Sequence, residues 1–135
     1  MHETLSRLKN TYKIVSEYSY LDELSGNEYI SNVKKKRELR EYCYIIVSKL
    51  RDLTEKTNMH ELEQKLLDFW LDIRFEWMRL NSKMNFNQVV YNKSNPLLAC
   101  QASYLTYIML ELEKIMDKEK LDILKEMSLT YQYIQ

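Results

Sequence analysis

The sequence predicts an all-α protein, an antiparallel bundle of four to five helices in a single domain over residues 1–135. Three observations carry that expectation. Apolar residues recur through most of the chain at alternating spacings of three and four, the pattern that lets a helix bury one stripe and expose the rest. There is one glycine, Gly26, and one proline, Pro96; tight β-turns and phosphate-cradling loops need glycine at positive φ, so neither is expected. With 45% apolar and 30% charged residues, a chain of this length buries roughly two-thirds of the surface its unfolded form exposes, enough for one ordinary core.

The first helix is expected over about 3–19, on the stripe Leu5, Leu8, Tyr12 and Val15, ending before Ser25-Gly26-Asn27. The second, about 28–56, carries Leu39, Cys43, Ile46, Leu50 and Leu53 at spacings of 4, 3, 4 and 3. A third is read over 58–80, opening at Asn58, whose side chain can accept from an orphan N–H while Glu61 reaches back as in a capping box. Between Asn81 and Asn95 five asparagines interleave with Phe86, Val89, Val90 and Tyr91, which predicts a packed loop with a short extended piece. Proline pushes the preceding residue out of the α region and suits a first helical turn, so Asn95-Pro96 opens the fourth helix. That helix runs over about 96–116 on Leu98, Gln101, Leu105, Ile108, Leu112 and Ile115. A fifth, over 118–134, follows on Leu121, Leu124, Tyr131 and Ile134, unless Ile123 and Met127 continue from Met116 in one long helix. Met1-His2-Glu3 recurs as Met59-His60-Glu61, but beyond apolar spacing the match stops, and no duplication is read from it.

Twenty basic residues balance twenty acidic ones, so the whole molecule exerts no long-range pull on nucleic acid or an anionic membrane. The start, Met1-His2-Glu3-Thr4, lacks a basic and apolar leader, and no stretch approaches the apolar length of a membrane span; a cytoplasmic location without membrane association is expected. Cys43 and Cys100 lack C-x-x-C spacing and a local histidine, which favours free buried thiols over a disulfide or a metal site. Neither His2 nor His60 stands in a Glu-x-x-His or H-E-x-x-H pattern, and no G-x-S-x-G or P-loop occurs. No catalytic residue, cofactor or metal ligand is assigned, and an enzyme is not expected.

Two segments stand out for binding. In the third helix Glu61, Lys65, Asp68, Asp72, Glu76 and Arg79 form a narrow polar stripe while most other positions are apolar. Asp68, Asp72 and Glu76 line one face at four-residue steps and read as solvated rather than as a cation site. The wide apolar remainder either makes this the central helix of the bundle or presents part of itself to a second protein, through Phe69, Trp70, Phe75, Trp77 and Met78. The second segment is Lys34, Lys35, Lys36, Arg37 and Arg40, a local cationic cluster suited to phosphates or an acidic protein. Lys35 and Lys36 project near the side of Leu39 and Cys43, so this stretch overhangs the core, starts irregularly or lays its stems across apolar surface.

The expected function is therefore a non-catalytic protein–protein interaction module: a small regulator, adaptor, inhibitor, immunity protein or antitoxin. Its partner is a second copy or a different protein. A nucleic-acid-associated protein using residues 34–40 is the alternative.

Overall fold

The computed structural model describes residues 2–17, 33–58, 60–83 and 96–134. Among these the chain forms five helices, α1 (His2–Glu17), α2 (Val33–Lys56), α3 (Leu62–Ser82), α4 (Pro96–Glu113) and α5 (Lys118–Ile134), and no strand. The start of the expected second helix and the asparagine-rich loop from 84 onward lie outside the described residues.

The spacing arguments account for α1 and α2. Leu8 and Val15 are fully buried, with Thr11 between them, and Leu5 and Tyr12 pack partly against the same cluster. On α2 Leu39, Ile46, Leu50 and Leu53 are buried and Cys43 half so. Tyr42 Oη donates to Glu76 Oε1 at 3.3 Å. The two residues lie fourteen positions from the facing ends of α2 and α3, so these helices form an antiparallel hairpin.

The start of α3 differs from the expected capping box. The helix begins at Leu62, with Glu61 at the cap and no side-chain cap bond. Glu61 N–H instead donates to the Asn58 carbonyl at 3.1 Å, and Lys65 N–H to the Glu61 carbonyl at 2.9 Å. A turn closed by the backbone occupies the N–H that the Asn58 side chain would have met, and buried Leu62 anchors the first helical turn. At the other end Asn81 Nδ2 donates to the Trp77 carbonyl at 2.7 Å, and Ser82 Oγ donates at 2.8 Å to that of Arg79, one of the last four carbonyls the helix leaves orphaned.

The aromatic-rich α3 is central, packed on α2, α4 and α5, and α4 shares that place. Helix α4 packs against α1, α2 and α3. Its buried set is Cys100, Ala102, Tyr104, Leu105, Ile108, Met109 and Leu112, wider than the single stripe expected, while Leu98 and Gln101 are only half-buried. The reason is compositional: no charged residue occurs in α4 before Glu111, so no charge confines burial to one stripe of the helix.

Helix α4 stops at Glu113, and α5 is separate. Backbone bonds from Ile115 N–H to Leu112 and from Met116 N–H to Glu113 close the last turn. Asp117 then caps α5, its Oδ1 accepting from Lys120 N–H at 3.0 Å. Lys120 pairs with Glu63 and Ser128 with Arg74, partners that advance together along both helices, so α3 and α5 run parallel. Leu121 is buried and Leu124 half-buried; the side chains of Tyr131 and Ile134 lie outside the described set. Residues from all five helices share one apolar cluster, and Leu39 and Cys100 form a small second one with Cys43 and Leu97.

Candidate interaction surface

The apolar excess of α3 is divided among three neighbours, α4 chiefly, with α2 and α5 on its flanks. Trp70 is 0% exposed and Met78 8%, so neither side chain is presented to a partner. Phe69, Phe75 and Trp77 are half-buried, Phe69 and Trp77 against the main core. Arg74 is held between the rings of Trp70 and Trp77, at 5.6 and 5.7 Å from their centroids. Its Nε donates to Ser128 Oγ at 2.7 Å, and that hydroxyl donates onward to the Lys125 carbonyl at 2.8 Å. Burial lowers the Arg74 pKa and the Glu113 carboxylate opposes the shift. Trp70 Nε1 is buried and meets no hydrogen-bond partner among the described residues, and an unmet buried donor costs about 1–3 kcal/mol.

Beside this clasp, α3 and α5 enclose an open groove of about 210 Å³. Leu67 and Leu71 from α3 and Ile123 and Leu124 from α5 supply its apolar lining, with Gln64, Asp68 and Lys120 also lining it. Ile123 is 57% exposed, and Met127, one turn further on, 61%. In the sequence these two residues read as a continuation from Met116 in one long helix. The missed signal was angular: at 100° per residue both fall well off the line of Leu121 and Ser128, which face the core.

Acidic groups dominate the surroundings of the groove. Lys120 is paired with Glu63, which raises its pKa. Asp68 accepts from Gln64 Nε2 at 2.9 Å and, like Asp72 and Glu119, is exposed and in no ion pair among the described residues. Lys65 shares the exposed polar stripe of α3 with Asp68 and Asp72, Arg79 lies two turns beyond Asp72, and Glu61 stands at the start of the helix.

Glu76 is drawn away from the other two carboxylates of its stripe. Arg79 grips it through Nε at 2.9 Å and a terminal nitrogen at 2.6 Å, holding its carboxyl below the usual carboxylate range. Burial, then the adjacent Glu76, pushes the Tyr42 phenol up. Among the described residues no group of three or more His, Cys, Asp or Glu is placed to hold a metal ion.

The cationic segment forms the start of α2, which is regular from Val33. Lys34, Lys35, Arg37 and Arg40 are exposed and Lys36 half-buried beside Leu39. Val33, Arg37, Arg40 and Tyr44 share one helical face, and Val33 and Tyr44 are strongly exposed. Neither cysteine is in a disulfide. Burial raises Cys43 to about 12, with nearby Cys100 contributing, and Cys100 itself to about 11.

No helix of the described residues is long and apolar enough to cross a membrane. Comparison with protein-family models, curated proteins and solved structures finds no match.

Proposed function

We propose that this chain is a non-catalytic protein–protein interaction module, a small regulator, adaptor, inhibitor, immunity protein or antitoxin that docks a helical segment of another protein between α3 and α5. The observation that carries the reading is the exposure of Ile123 and Met127 beside the half-buried Leu67, Leu71 and Leu124. Together they make a contiguous apolar surface of the kind interaction sites use. Helix-in-groove recognition needs little more than such a floor between two helical walls.

The test compares the full chain with an Ile123→Asp, Met127→Asp variant as bait in extracts of its native cells, followed by reconstitution with each purified candidate. A partner that binds the wild type in fixed stoichiometry and is lost with the variant supports the reading. Identical capture by both proteins overturns it.

A second reading concerns α2, where Arg37, Arg40 and Tyr44 share an exposed face that suits phosphate contact and base stacking. Salt-dependent binding of an oligonucleotide, lost when Lys34, Lys35, Lys36, Arg37 and Arg40 are replaced, supports it. Absence of binding at low salt removes it.

A further inference from the structure

We infer that the occupant of the α3–α5 groove is a foreign amphipathic helix whose apolar stripe is flanked by lysine or arginine; the inference rests on the interaction function proposed above. The floor sets the shape of the ligand. From Gln64 to Leu71 the groove spans about 10 Å of helix axis, two turns, which accommodates apolar side chains at i, i+3 or i+4, and i+7 of an incoming helix. Both walls are helices, so there is no open sheet edge for a strand to extend.

The rim sets the charge of the ligand. Asp68 and Asp72 stand exposed on the α3 side and Glu119 on the α5 side. Of the nearby cations, Lys120 is answered by Glu63, and Lys65, on the stripe of Asp68 and Asp72, offsets one of the three rim carboxylates. An entering helix with acidic flanks meets like charges on both sides, whereas cationic flanks meet carboxylates that enter no ion pair among the described residues. The same field disfavours an anionic lipid surface or a phosphate backbone at this site. Within the chain itself, the face of α2 bearing Arg37, Arg40 and Tyr44 has matching chemistry. Docking it into the groove of another copy joins two different surfaces head to tail, however, which makes a ring or an open chain and never the reciprocal two-fold pair that most homo-oligomers use.

Two synthetic helical peptides with the same leucine stripe, one flanked by lysine and arginine and the other by glutamate, are titrated into the full chain at low and moderate salt. The cationic peptide is expected to bind about tenfold more tightly, with the difference shrinking as salt rises. Asp68→Lys with Asp72→Lys, both at exposed positions, inverts the order. Ile123→Asp with Met127→Asp abolishes binding of both peptides while the far-ultraviolet circular dichroism stays that of the wild type. Equal binding of the two peptides that still depends on Ile123 and Met127 overturns the charge assignment and leaves the interaction function standing. No binding of either peptide, or binding indifferent to those two residues, removes both. Self-association of the chain alone that is lost with Arg37→Glu and Arg40→Glu assigns the groove to a second copy and overturns the foreign occupant.

Discussion

Cys43 and Cys100 show how a side chain's surroundings settle its chemistry. With the thiols raised to about 12 and about 11, both stay protonated near neutrality, and the thiolate is the reactive form. Iodoacetamide in mildly alkaline buffer is therefore expected to leave both unmodified in the native protein over the time that fully alkylates the denatured chain. Rapid labelling of Cys43 in an intact-mass measurement would refute this. Glu76 has the opposite balance, because Arg79 holds its folded pKa below the ordinary value. Its contribution to stability is present above the usual carboxylate range and lost as pH falls through the depressed folded value. Glu76→Gln should flatten the acid side of the urea-midpoint profile, leaving a smaller difference from wild type at low pH than at neutral pH. The Glu76–Arg79 pair was legible in the sequence as neighbours on one polar stripe. Its third member was not, since Tyr42 lies 34 residues away and meets Glu76 only through the α2–α3 register. Trp70 and Met78 were misplaced for a related reason: an apolar residue looks the same in sequence whether its neighbour is its own chain or another.

Among the helices, α5 is held in the most polar way. Glu63–Lys120, Arg74–Ser128 and Glu113–Lys125 tie it to α3 and α4, while Leu121 is its buried apolar anchor among the described side chains. Such an element belongs to the low end of local stability. Asp117→Ala, which removes the cap at Lys120 N–H, is expected to cost about 1 kcal/mol in chemical denaturation. Ser128→Ala leaves the Arg74 Nε–H without its acceptor and is expected to cost about 1–3 kcal/mol, with hydrogen exchange accelerated in α5 before α2. A uniform acceleration across all helices would argue against α5 opening on its own. Helix positions were largely legible because spacings of three and four survive any packing arrangement. Ends were less so. Asn58 offers a capping side chain, but the 58–61 backbone turn satisfies the same donor, whereas Asp117, three residues before Lys120, is a cap signal present in the sequence.

At the scale of the whole molecule, stability should concentrate in α4. Leu105→Ala, at a fully buried position, is expected to cost about 2–5 kcal/mol, while Leu110→Ala, at a position 56% exposed on the same helix, should change stability by about 0.5 kcal/mol or less. Equal effects in denaturant unfolding would place the centre of the core elsewhere. The all-α architecture was legible from composition and periodicity, but the place α4 shares with α3 was not, because aromatic content drew attention to α3 alone. The guide to α4 was the lack of charge from Pro96 to Leu110, which leaves its burial confined to no single stripe. The position of that helix along the chain also matters during synthesis. Helices α1 to α3 leave the ribosome before the segment that covers their apolar sides, and at about 5–20 residues per second the stretch from Lys83 to Glu113 takes on the order of seconds to appear. Until then the nascent chain shows its future interior to the cell, making a holding chaperone most useful in that interval.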